Sequence, residues 1–77
     1  MTLKQFRKKH EGHSVALLPT AHDMRKNIVG NIAFNESMVE YERKNTKPKG
    51  RRNVLVENYE ATIRSQKEML ADLEGIA

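Results

Sequence analysis

The chain has 77 residues, a net charge of +4 and no cysteine. That length excludes more than one domain and a large core, so stability is expected to be modest. The absence of cysteine excludes disulfide staples and thiolate metal sites. No apolar run approaches the roughly 18 residues that a membrane span needs, and the longest, Val15 to Leu18, is too short for a signal-peptide core. A soluble, untargeted, cytoplasmic protein is the expectation.

Charge is unevenly spread. Residues 1–52 carry 12 Lys/Arg against 5 Asp/Glu, and residues 53–77 carry 2 against 5. Either one surface is built for an anionic partner or the two halves pair with each other.

The first predicted element runs from Thr2 to His10. Thr2 with Gln5 three residues on has the form of a capping box, and Leu3 and Phe6 share a helical face. Glu11-Gly12-His13 ends this short helix. Ser14 to Pro19 reads as an extended strap packed along a helix, with Val15, Leu17 and Leu18 as its apolar residues. Pro19 steers Leu18 away from helical geometry.

The first long helix spans residues 20–45. Thr20 and Asp23 form a second capping-box pattern. Met24, Ile28, Ile32 and Val39 make an apolar stripe interrupted by Gly30, which costs about 1 kcal/mol relative to alanine. Residues 46–52, around Pro48 and Gly50, form a breaking loop. The second long helix spans residues 53–75, with Asn53 as N-cap and a coiled-coil-like seam of Val56, Tyr59, Ile63, Gln66, Leu70 and Leu73. Gly75 has the position of a C′ glycine, followed by apolar Ile76.

These elements predict an all-α fold: an antiparallel helical hairpin with a short N-terminal helix and an extended strap packed on it, the whole forming one small helical domain. Folding at Lys49 sets Val39 against Tyr59, Asn35 against Ile63, Ile32 against Gln66 and Ile28 against Leu70. Asn35 and Gln66 then lie in the seam, where polar groups fix register at a cost in stability. They are expected to hydrogen-bond or meet water.

A second apolar face on the first long helix holds Phe34, Met38 and Tyr41, with Val29 and Ala33 nearby. One hairpin cannot bury both faces. Residues 3–18 fold over it, or another chain does, as in a homodimer that forms a four-helix bundle.

The candidate anion-binding or nucleic-acid-binding residues are Arg43, Lys44, Lys47, Lys49, Arg51 and Arg52, six cations within ten residues and no acid among them. Arg51 and Arg52 sit near a helix start, where acids are favoured, so a phosphate backbone or an acidic protein surface would relieve the crowding. A solvated hairpin tip is the plainer reading. Lys4, Arg7, Lys8 and Lys9 form a second basic cluster, read as the solvated side of an amphipathic helix.

His10, His13 and His22 do not have zinc-protease spacing and read as surface histidines. Glu60–Arg64 and Arg64–Glu68 are spaced for pairing along the second helix. There is no phosphate loop, nucleophile triad or glycosidase-like acid pair, and a hairpin this small is expected to lack a cleft of ligand volume. No enzyme activity, metal or cofactor is expected.

The expected function is that of a small regulatory or adaptor protein. It would bind a protein partner through the hairpin and the Phe34/Met38/Tyr41 face, with the basic loop steering an anionic surface. The alternative is a DNA- or RNA-binding regulator whose loop contacts phosphates. No aromatic residue lies in the loop, which argues against single-strand base stacking. The architecture is similar to small RNA-binding hairpin dimers and small phage or plasmid regulators, a likeness of shape alone.

Overall fold

The computed structural model describes residues 1–45 and 53–76. Three α-helices and one 3₁₀ turn lie among them, and no strand: α1 is Leu3–Lys9, the 3₁₀ turn is Ser14–Leu17, α2 is Ala21–Asn45 and α3 is Val54–Glu74. The two long helices pack against each other, as expected for a helical hairpin.

Each helix begins on a side-chain cap that satisfies an otherwise orphaned backbone donor. In α1 the Thr2 hydroxyl accepts from Gln5 N–H at 3.2 Å, and the Gln5 side chain accepts from Thr2 N–H at 2.8 Å, a complete capping box. The Thr20 hydroxyl accepts from Asp23 N–H at 3.1 Å, and the Asn53 side-chain Oδ1 from Val56 N–H at 3.1 Å. Asp23 in the first turn of α2 and Arg43 and Lys44 in its last turn match the helix dipole.

Ser14–Leu17 is not extended. Ala16 N–H donates to His13 carbonyl at 3.0 Å and Leu18 N–H to Val15 carbonyl at 3.1 Å, closing the tight turn. A strap with no partner strand satisfies its own backbone this way. The coil also changes which residues face inward: Val15 and Ala16 are buried, whereas Leu17 is 86% exposed. Leu18 is extended, at φ −68 and ψ 147, as the following proline demands.

Gly12 carries the chain between α1 and the turn at φ 96, a conformation that side chains other than glycine's resist. Gly75 differs from the sequence expectation. It caps α3 at φ −81 and ψ 1, outside the left-handed region, with its N–H shared among the carbonyls of Ala71, Asp72 and Leu73.

The core lies towards the end where α2 begins and α3 finishes. Phe6, Val15, Met24, Ile28, Ile32, Ile63, Met69 and Leu73 form one buried cluster, with Leu3, Leu18, Val39, Leu70 and Ile76 packed against it. Phe6, Met24 and Ile28 are fully enclosed, and burying each contributes about 1.5–3 kcal/mol. The α1 helix and the 3₁₀ turn therefore act as a lid over this end.

Met69 is buried although the sequence seam runs through Leu70. At this end α3 meets α1 as well as α2, so its buried arc is wider than a two-helix seam. Further along the hairpin, Asn35 Nδ2 donates to Gln66 Oε1 at 3.0 Å, a partly buried bridge between the helices. It joins two of the seam's polar residues, one turn from the Ile63 that simple pairing sets opposite Asn35.

Candidate functional site

The apolar second face of α2 remains uncovered by the described chain. Phe34 is 62% exposed and Tyr41 59%, with Val29 also exposed, while Met38 is half-buried at the margin. Residues 3–18 do not reach this face. Their buried residues, Phe6, Val15 and Ala16, belong to the other side of α2 and to α3. Of the two covers that the sequence allows, residues 3–18 are not the one seen among the described residues.

Two of the six basic-segment residues lie within the described chain. Arg43 Nη2 meets Glu60 Oε1 of α3 at 2.9 Å, and Lys44 Nζ meets Glu40 Oε1 at 3.0 Å, one turn back on α2. Both cations stay largely exposed, so each pair is worth at most about 1 kcal/mol. Lys47, Lys49, Arg51 and Arg52 lie outside the described residues. Acids placed elsewhere in the chain, Glu40 and Glu60, thus answer part of the charge that looks unopposed in the segment itself.

The amino-terminal basic cluster divides by role. Arg7 Nη2 donates to the carbonyls of Leu18 at 3.0 Å and Pro19 at 3.3 Å, tying α1 to the chain that follows the 3₁₀ turn. Lys9 Nζ meets Asp72 Oδ2 at 2.8 Å and Glu68 Oε1 at 3.6 Å. Lys4 and Lys8 are exposed. Half of this cluster therefore fastens the lid, where a purely solvated face was expected.

His10 is the main residue that the sequence reading misplaced. It is only 7% exposed, its ring packs against Phe6 at a tilt of 49°, with centroids 4.7 Å apart, and its Nε2 lies 2.8 Å from Asp72 Oδ2. The signal was present: Leu3, Phe6 and His10 share one face of α1, at steps of three and four. Hydrogen bonding to Lys9, then to His10, holds the Asp72 carboxyl below its ordinary value, and the same bond to Asp72 raises Lys9.

Glu60 and Glu68 pair across elements, with Arg43 and Lys9, and not with Arg64 along α3. No cluster of three His, Asp or Glu side chains fit for a metal occurs among the described residues. No described helix is long and apolar enough to cross a membrane.

Among the described residues, surface grooves reach a size not expected of a bare hairpin. One of about 330 Å³ lies between α2 and α3 and is lined by Glu36, Val39, Glu60, Ile63, Arg64 and Lys67. Another, of about 360 Å³, lies beside the 3₁₀ turn and includes Arg7, His13 and Leu17. Both sit at the lower limit of ligand pockets.

No family model matches the chain, and no curated protein or solved structure does either.

Proposed function

We propose that this chain is a small, non-enzymatic regulatory or adaptor protein of the cytoplasm. It binds a protein partner through the outer face of α2, with Phe34 and Tyr41 as anchors and Met38 at the margin. The segment containing Lys47, Lys49, Arg51 and Arg52 steers it towards an anionic surface.

One observation carries the reading: two aromatic rings, each about three-fifths exposed, stand two turns apart on a face that nothing in the described chain covers. Aromatic side chains supply much of the affinity at protein interfaces when water is excluded from them. Left in water, they stabilise nothing.

Affinity capture from native cell extract tests this. The native chain should enrich a protein that a Phe34→Ala/Met38→Ala variant loses, while a charge-neutralised basic segment slows capture without abolishing it. Equal recovery by the native chain and the double variant would refute the assignment.

A further inference from the structure

The solvent face of α2 has an order that neither the hairpin nor a generic greasy patch requires. Along it run Gly30, Phe34, Ser37 and Tyr41: small, large, small, large. Their spacings are four, three and four, so they keep to one stripe of the helix. The stripe holds no charge, in a chain that is 31% charged.

Gly30 is the odd member. A glycine within a helix is worth about 1 kcal/mol less than alanine, and here nothing lies within 4 Å of where its Cβ would be. The fold gives no reason for the missing side chain. An intermolecular contact does, because a ring from outside can rest directly on the backbone there.

The order is also self-complementary. An antiparallel copy of α2, laid across this face and centred between Asn35 and Glu36, sets each Tyr41 on the other copy's Gly30. It likewise sets each Phe34 on the other copy's Ser37. A two-fold interface needs this reciprocity, since residue i must suit j as j suits i. A partner of unrelated sequence imposes no such symmetry.

Resting on the reading of this face as a docking surface, we propose that its occupant is a second copy of the chain. The two copies would meet antiparallel through α2, each ring filling the space above a small residue.

Size sets the strength. At about 200 Å² per aromatic side chain, the exposed parts of two rings come to about 240 Å² per copy. With the small and aliphatic residues beside them, two copies bury on the order of 800 Å², below the roughly 1,200–2,000 Å² of a stable interface. The dimer is therefore weak and concentration-dependent, and a heterologous partner can displace it. The stripe's neutrality lets two copies, each of net charge +4, approach without a buried like-charge clash, so the contact does not weaken as salt is added.

Sedimentation velocity on the full chain, from micromolar to near-millimolar concentration, tests the proposal with two substitutions on the exposed stripe. Phe34→Ser leaves small opposite small, and Ser37→Phe sets large against large. Each alone should weaken the dimer about tenfold or more. Their equimolar mixture should recover dimerisation, because in the heterodimer every large residue again meets a small one. Circular dichroism should show unchanged helix content in both variants.

A native chain that stays monomeric throughout overturns the proposal. So do single variants that dimerise like the native chain, and a mixture that stays monomeric. Partner capture that depends on Phe34 in a monomeric chain would leave the docking reading intact and exclude the second copy as occupant.

Discussion

At the scale of single residues, Asp72 is the most consequential acid. It joins α3 to α1 through Lys9 and lies against the buried His10 ring. Its carboxyl is held below the ordinary value, chiefly by the Lys9 hydrogen bond and then by His10. The link's stability is therefore fully present above the unfolded aspartate value of about 3.9 and is lost as pH falls through the lowered folded value. Lys9 is raised by the same bond, so its share is present below about 10.4 and is lost as pH rises through the raised folded value. Asp72→Asn should lower the melting temperature at neutral pH and flatten its decline in acid. A native-like acid profile in that variant would show that the contact contributes nothing. Gly30 gives a second residue-level prediction. In dilute, monomeric protein Gly30→Ala should stabilise the fold by up to about 1 kcal/mol in urea unfolding, because the added Cβ meets nothing. A destabilised monomer would show that the glycine serves the fold itself.

At the scale of elements, the three helices were legible from caps and periodicity, because those signals are local. Thr2, Thr20 and Asn53 each do what their positions announced. What the sequence left unread depends on tertiary neighbours. Leu17 faces water because Ser14–Leu17 coils, and no local pattern separates a 3₁₀ turn from an extended strap in so short a piece. His10 is buried because α3 supplies Asp72, sixty-two residues away. Met69 joins the core because the lid widens α3's buried arc. Phe34 and Tyr41 were readable as a surplus apolar face, but whether residues 3–18 covered it was not.

The Asn35–Gln66 bridge makes an element-level prediction. Removing one partner, as in Asn35→Leu, leaves the other partly buried and unmatched, at about 1–3 kcal/mol. Replacing both with leucine should recover that loss or exceed it while loosening the hairpin's register. Urea unfolding of the two single variants and the double variant measures the coupling. A double variant no more stable than the worse single one would rule out the bridge as a register device.

At the scale of the whole molecule, the hairpin is a rod of 47 × 18 × 18 Å with two unlike backs. Glu57, Arg64 and Glu68 lie exposed on α3. The back of α2 carries rings and small residues. In sequence, the basic segment lies between the two long helices. If its cations met duplex DNA, the slope of log affinity against log salt would be about −5 for all six. It would be about −3.6 for four, with Arg43 and Lys44 kept by Glu60 and Glu40. Anisotropy titrations across salt read this directly, and the adaptor reading expects a shallow slope or no binding.

Photo-crosslinking in the native cell tests the central claim most directly, with a photoreactive phenylalanine placed at Phe34 or, on the back of α3, at Ser65. Adducts, whether with a second copy or with another protein, should form from Phe34 and be nearly absent from Ser65. Equal yields from the two positions, or none from Phe34, would contradict the assignment of α2's outer face as the surface through which this protein works.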